Sequence, residues 1–199
     1  MTLTIYGSPR SRTMRVLWAA AEFGLEFEHV PLAAYDPVLK TDDFLRLNPA
    51  GAVPVIVDGD FALAESMAIN LYLAKKHGTP GLYPATSEGE AEVWRWSLWA
   101  QGHLEPWVQR DAVMTPLRDA MAAFVRARAV AALAVLERAL DGRGWLVGDR
   151  FTVADLNVAG VLSPSRAADP DLAGFPGVSD WLDRCYARPA AVATRRRFA

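Results

Sequence analysis

Hydrophobic and polar positions alternate or form short apolar runs over the first third of the chain. These runs are bounded by turn-forming residues, which predicts strands at 3–6, 27–32, 53–57 and 61–63. Apolar positions at helical spacing predict a helix from about Ser11, ended by Gly24, a short helix at 42–47 and another opening at Glu65. The order predicts a parallel βαβ unit followed by a hairpin that turns at Asp58-Gly59.

The pattern changes after His77. Turn formers at 78–81 and 83–87 indicate a linker, and no strand pattern follows Glu88. Helical spacing predicts helices at 88–110, with Pro106 as a candidate kink, and at 116–140, 155–163 and 178–187. We therefore predict an α/β thioredoxin-like domain over residues 1–79 and an all-α domain over residues 87–199.

Composition narrows the class of protein. The chain has 199 residues, of which 52% are hydrophobic, which indicates a globular fold. Its net charge of −2 argues against nucleic acid or anionic membrane as a partner, and we interpret Arg195-Arg196-Arg197 as a solvated tail. A single cysteine, Cys185, fits a reducing compartment, and no metal-ligand cluster, phosphate loop, signal peptide or membrane span is readable. A cytoplasmic protein is the expectation.

Two motifs far apart in the chain carry a family resemblance. The first combines Asn48-Pro49, Gly51, Val53-Pro54, Asp58-Gly59 and Glu65-Ser66, and the second is the Gly-Asp-x-Phe-Thr-x-Ala-Asp run at 148–155. Together they resemble the glutathione transferase family, including its bacterial members. This resemblance implies the two-domain fold, glutathione as co-substrate, a homodimer and a role in detoxification. Within the second motif, Thr152 and Asp155 have the spacing of a helix capping box.

The resemblance also implies a glutathione site. A helix start at Glu65-Ser66 suits the γ-glutamyl end, because its N–H groups and Ser66 bind a carboxylate while Glu65 meets the ammonium group. Val53, preceding a cis Pro54, would pair with the cysteinyl backbone, and Lys40 would face the glycyl carboxylate. Ala52 departs from the family, which often has Gln or Lys there. The alternatives are a plain helix cap at Ser66, an edge-strand proline and a solvated lysine.

The glutathione thiol must be ionised to attack an electrophile. Ser11, four residues before Arg15, resembles the serine-type classes, including theta, in which a hydroxyl donates to the sulfur. Tyr6 is the alternative, as in the tyrosine-type classes, and a third account credits the dipole of the first helix with Arg12 and Arg15.

Three further residues are candidates for the electrophile pocket. Trp99, His103 and Trp107 are spaced four apart on one predicted helix, and the family lines its pocket with this helix. The alternative is a set of core aromatic residues with a hydrogen-bonded histidine.

We accordingly expect an enzyme that joins the glutathione thiolate to small hydrophobic electrophiles. The rival interpretations are a non-catalytic ligand-binding or protein-interaction module, and a glutathione-dependent isomerase, dehalogenase or peroxidase on the same fold. The hydroxyl at Ser11 together with Glu65-Ser66 favours the enzyme.

Overall fold

A computed structural model describes residues 2–78, 81–109, 120–163 and 171–198. The described residues form two compact units. One consists of residues up to Tyr83 together with those from Arg188 onward, and the other runs from Pro84 to Ala187. Over the described ranges, no helix combines the length and the apolar character needed to cross a membrane.

The first unit is built on a four-stranded mixed sheet. Its strands lie in the order β2-β1-β3-β4, where β1 is Leu3–Tyr6, β2 is Phe27–Val30, β3 is Val55–Asp58 and β4 is Phe61–Ala64. Strand β1 pairs in parallel with β2 and antiparallel with β3, and β3 and β4 form the hairpin that turns after Asp58. The predicted βαβ unit and hairpin are confirmed, although β3 begins only after Pro54, which has no N–H to donate to a neighbouring strand.

Three α-helices and a short 3₁₀ segment accompany these strands, and all but the third helix lie between strands in the sequence. The helices are α1 (Thr13–Glu22), α2 (Asp42–Leu47) and α3 (Ser66–His77), and the 3₁₀ segment is Pro37–Lys40. Gly24 has φ +65° just beyond the end of α1, as expected for a glycine that ends a helix. Buried side chains of α1, including Val16 and Leu17, form part of the apolar core.

The second unit is helical. It contains α4 (Ser87–Trp99), a turn of π-helix at Ala100–Leu104, α5 (Glu105–Val108), α6 (Ala122–Leu140), α7 (Val153–Val161) and α8 (Pro176–Tyr186). The first part of the helix predicted at 116–140 lies outside the described residues.

The helix predicted over 88–110, with Pro106 as a candidate kink, is interrupted by the π turn in the described residues. Pro106 has no N–H, and in an α-helix its ring would clash with the carbonyl four residues earlier. Here the N–H of Glu105 donates instead to the carbonyl of Ala100, five residues back, which is π spacing. The sequence therefore indicated correctly where the helix changes, but the change is from α-helix to π-helix.

The predicted capping box at the start of α7 is confirmed. Thr152 and Asp155 exchange side-chain and backbone hydrogen bonds, and the Asp155 carboxylate also accepts from the backbone N–H of Leu146 at 3.0 Å and from Trp181 Nε1 at 2.9 Å. Burial raises the pKa of the Asp155 carboxyl, although these hydrogen bonds favour its charged form. The carboxylate thus ties together three segments of the helical unit.

The last helix, α9 (Pro189–Phe198), belongs to the first unit. It packs along α1, and the Arg188 guanidinium makes two hydrogen bonds to the buried Glu22 carboxylate, at 2.9 and 2.8 Å. The sequence interpretation placed this segment in the helical domain and treated its three arginines as a tail. They lie in the last turn of α9, where positive charge complements the helix dipole.

Candidate functional site

Gly7 lies where the first strand, the first helix and the Val53 segment converge. Its φ is +130°, and a Cβ added there would lie 2.1 Å from Thr13 Oγ1 and 2.9 Å from Val53 Cβ. The Gly7 N–H donates to the carbonyl of Val30 at 2.8 Å, and His29 Nε2–H donates to the Gly7 carbonyl, also at 2.8 Å. Only a residue without a side chain allows this close approach.

Ser11 occupies the turn between Gly7 and α1. Its hydroxyl donates to the Ser8 carbonyl at 2.7 Å, and its oxygen accepts from the backbone N–H of Thr13 at 3.1 Å and lies 2.8 Å from Thr13 Oγ1. Arg12, at the N-cap position, makes no side-chain cap. Ser11 therefore accepts a hydrogen bond from the first residue of α1. Its half-buried side chain also places an O–H that can rotate at the helix N-terminus.

Tyr6, the alternative to Ser11, contributes to an apolar cluster. Its ring meets Phe44 edge-on with centroids 6.1 Å apart, and it packs against a buried group that also includes Leu39 and Val55. This packing gives Tyr6 a structural role in holding α2 against the sheet.

The Val53–Pro54 peptide bond is cis, as the resemblance implies. The loop that precedes it is ordered by Asn48, whose Nδ2 donates to the Ala52 carbonyl at 2.8 Å and whose Oδ1 accepts from the Ala50 N–H at 3.1 Å. The backbone around Val53 is thereby fixed next to Gly7.

Lys40 lies beside this loop. Its Nζ donates to the Gly51 carbonyl at 3.2 Å, and the side chain is exposed. The 3₁₀ segment thus brings a positive charge to the loop containing Ala52, which itself offers only backbone groups. In the described ranges, no group of three or more His, Cys, Asp or Glu residues is placed to hold a metal.

The other end of the site is the start of α3. Glu65 precedes it with φ +71°, the one non-glycine residue with positive φ among those described, and its side chain is exposed. Such a backbone conformation is costly for a residue with a side chain and clusters at functional sites. Ser66 is 4% exposed, and its Oγ lies 3.4 Å from Nη1 of Arg15, which is 3% exposed.

The three predicted pocket residues have different surroundings. Trp99 packs edge-on against Trp96 with centroids 5.2 Å apart, and His103 is exposed on the π turn. Trp107 meets Phe124 edge-on at 5.8 Å, with the Arg128 guanidinium 5.3 Å from its ring centroid. The regular four-residue spacing expected of one helix face is broken, because a π turn holds one residue more than an α turn.

Sequence reasoning missed two sets of contacts, one within each unit. Thr13 was not considered, although it is fully buried with its hydroxyl against Ser11. Phe124 and Arg128 were not associated with Trp107, because α5 and α6 are separated in the sequence by residues outside the described ranges. The available signal for Thr13 was its position two residues after Ser11, at the predicted helix start.

Family comparisons cover both units. Residues 1–75 match the family model for the glutathione S-transferase N-terminal domain, and residues 104–189 match the model for the C-terminal domain. Glutathione S-transferase 3 of Zea mays is 39% identical over 204 aligned positions, covering 94% of this chain and 90% of that protein. Glutathione S-transferase GST-4.5 of Xanthomonas campestris is 31% identical, covering 75% and 76% respectively.

Solved structures give the same result. The apo form of glutathione S-transferase III superimposes with a TM-score of 0.83 at 34% identity, covering 100% of this chain and 97% of that chain. A glutathione S-transferase from Xanthobacter autotrophicus gives 0.80 at 35% identity, covering 95% of both chains. Because the likeness extends through both units in sequence and in structure, the chain belongs to the glutathione S-transferase family, which uses glutathione as co-substrate.

Proposed function

We propose that the protein is a serine-type, theta-like glutathione transferase that joins the glutathione thiolate to small hydrophobic electrophiles. The supporting observation is a continuous set of contacts in the first unit. Gly7 abuts both Val53 and Thr13, and Arg15 of the same helix reaches Ser66. A ligand with one end at Ser66 and its middle at Val53 would therefore bring that middle close to Gly7 and the turn of Ser11.

Glutathione fits this set from end to end. Its γ-glutamyl carboxylate would meet the N-terminus of α3, Ser66 and the nearby Arg15, while Glu65 would face the ammonium group. Its cysteinyl backbone would pair with Val53, which precedes the cis bond, and its glycyl carboxylate would lie toward Lys40. Each charged end would thus meet a group of opposite charge.

The Ser11 hydroxyl is the proposed donor to the sulfur. When the thiol loses its proton to solvent, the Ser11 O–H would turn from the Ser8 carbonyl to the thiolate, a charged acceptor that binds a donor more strongly than a neutral carbonyl does. A hydrogen bond to a charged group stabilises it by about 1.5–3 kcal/mol, which lowers the thiol pKa by about one to two pH units. The packing of Tyr6 against Phe44 supports Ser11 over Tyr6.

The electrophile would be held by Trp99, His103 and Trp107 of the helical unit. Trp107, with Phe124 and the Arg128 guanidinium, offers an aromatic surface with a positive charge over one ring. This combination supports small aromatic electrophiles.

We also propose a cytoplasmic homodimer. Exposed apolar side chains support the association: Phe61 lies on the edge strand β4, and Trp94 and Leu98 are one turn apart on α4. Leu98 is 69% exposed. Light scattering that gives twice the mass of 21.8 kDa would support the dimer, and the chain mass at micromolar concentration would contradict it.

Two experiments test the hypothesis that the protein is an enzyme. The first measures retention of the protein on immobilised glutathione. The second assays it with glutathione and a panel of chlorinated aromatics, hydroperoxides and epoxides. We expect retention and conjugation of the chlorinated aromatics. Retention without turnover of any electrophile would favour a binding module, and absence of retention would contradict the glutathione site itself.

A further inference from the structure

A second hydroxyl lies directly behind Ser11. Thr13 is 0% exposed, and its Oγ1 is 2.8 Å from Ser11 Oγ. The space for this hydroxyl exists because Gly7 has no side chain, since a Cβ there would lie 2.1 Å from the Thr13 oxygen. The arrangement is therefore specific to the combination of Gly7, Ser11 and Thr13.

The direction of the hydrogen bond between the two hydroxyls follows from their other partners. A carbonyl oxygen can only accept, so the 2.7 Å contact to Ser8 uses the single proton of the Ser11 hydroxyl. The contact between the two hydroxyl oxygens must then be made by the proton of Thr13. Ser11 Oγ thus accepts from both the O–H and the N–H of Thr13, at 2.8 and 3.1 Å.

The groups that hydrogen-bond to Ser11 keep their partners when the Ser11 proton turns away from the Ser8 carbonyl. The Ser8 carbonyl keeps the backbone N–H of Ser11 as a donor at 2.9 Å, so it is not left without a partner. Ser11 Oγ keeps both donors from Thr13. The hydroxyl can therefore turn toward a ligand without leaving a buried polar group unsatisfied.

We propose that Thr13 is a positioning residue for the thiol chemistry, acting through Ser11. Two donors on the Ser11 oxygen polarise its O–H, which makes it a better donor to a thiolate, and they fix the oxygen in place. Thr13 is buried and makes no contact with the ligand in this proposal. The inference rests on the proposed function, because it assigns a role within the step that Ser11 is proposed to perform.

The test compares Thr13→Val, which keeps the shape and removes the hydroxyl, with Thr13→Ser, which restores it. Cooperative strengthening by roughly 10–30% of the hydrogen bond to the thiolate predicts that Thr13→Val lowers kcat/KM at neutral pH about 1.3- to fivefold. The pKa of bound glutathione, followed by the ultraviolet absorbance of its thiolate, should rise in parallel. Thr13→Ser should return both toward the parent, and the affinity for S-methylglutathione, which has no thiol proton, should stay unchanged in both variants.

A double-mutant cycle separates this role from a merely structural one. If Thr13 acts through Ser11, then Thr13→Val should leave the pH profile unchanged when Ser11 is already alanine. A Thr13→Val protein with the parental thiol pKa, while Ser11→Ala shifts it, would overturn the role of Thr13 and leave the proposed function intact. If Ser11→Ala itself keeps the parental pH profile, the proposed function of Ser11 fails first. An equal loss from Thr13→Val in both backgrounds would show a structural effect and also overturn the inference.

Discussion

Nη1 of Arg15 lies 3.4 Å from the Oγ of Ser66, with both side chains almost fully buried. The contact joins the first turn of α1 to the first residue of α3, two helices that are separated in the sequence by three strands, a 3₁₀ segment and α2. It places a permanent positive charge next to a helix N-terminus, where the macrodipole is also positive. Both features favour an anion at this position, which is the place assigned to the γ-glutamyl carboxylate.

Ser66→Ala should therefore weaken glutathione binding by roughly 1–3 kcal/mol, because it removes a hydroxyl partner from a charged ligand group. Isothermal titration calorimetry with glutathione measures the change, and the melting temperature should remain near that of the parent. Ser87→Ala, at the start of α4, is the matched control and should bind normally. Normal binding by Ser66→Ala would show that Ser66 is only part of the helix start.

Glu65→Ala should weaken glutathione binding by a similar amount, whereas Glu65→Gly separates binding from stability. At φ +71°, replacement by glycine relieves backbone strain of about 1–3 kcal/mol, offset in part by the greater freedom of glycine in the unfolded chain. We expect Glu65→Gly to be more stable than Glu65→Ala in urea unfolding while binding glutathione equally weakly. Equal stability of the two variants would contradict the strain argument, and tight binding by either would contradict the role of the carboxylate.

Ser11→Ala should raise the pKa of bound glutathione by about one to two pH units. At neutral pH, turnover should fall about ten- to a hundredfold where chemistry limits the rate, and the loss should shrink at alkaline pH, where the thiol ionises unaided. The measurement is a pH–rate profile with one electrophile. Tyr6→Phe is the control, since it keeps the ring that packs on Phe44 and should leave the profile unmoved.

If the pH–rate profile of Ser11→Ala overlays that of the parent, the assignment of Ser11 as the donor to the thiolate is wrong. Ser11 would then be only a cap for the N–H of Thr13, and thiolate stabilisation would have to come from the α1 dipole or its arginines.

Asp155→Asn should destabilise the protein by roughly 2–4 kcal/mol, because the amide NH₂ cannot accept hydrogen bonds from the donors that converge on the buried carboxylate. Urea unfolding monitored by tryptophan fluorescence measures the loss. Asp149→Asn is the matched control: this side chain is exposed and pairs only with a surface arginine in the described contacts, so its replacement should cost little.

Acid should weaken the hydrogen bonds that converge on the Asp58 carboxylate at the end of β3. Hydrogen bonds from Lys76, at 2.7 Å, and from Tyr72 and His77 hold the pKa of Asp58 below its ordinary value of 3.8. Because the folded-state pKa is lowered, the stabilisation is complete above the ordinary value and is lost as the pH falls through the lowered one. Asp58→Asn should therefore lose less stability than the parent between pH 6 and pH 3, by at most about 1 kcal/mol, because the ordinary value lies less than one pH unit above pH 3. Parallel stability curves for the two proteins would rule out this contribution.

Local signals explain why much of the fold could be predicted from the sequence. The Asp58-Gly59 turn, the glycine after α1 and the Thr152–Asp155 capping box each depend on residues within a few positions of one another. The assignment of α9 to the first unit depends instead on residues far apart in the sequence. Arg188 binds Glu22, and the whole helical unit lies between them in the chain. Thr13 is a different case, because its partners Ser11 and Gly7 are near it in the sequence, but the contact depends on the backbone conformation of Gly7, which the residue types alone do not give.

The packing of α9 on α1 makes the first unit discontinuous along the chain. The helical unit is topologically an insertion, which the chain enters after Tyr83 and leaves before Arg188. A fragment ending at Tyr83 would therefore lack one of its own helices and would leave the Glu22 carboxylate without the guanidinium that neutralises it. A self-contained form of this unit would need Tyr83 joined to Arg188 through a linker. By the same reasoning, one proteolytic cut within 84–187 would leave α9 bound to α1 without a continuous covalent connection between them.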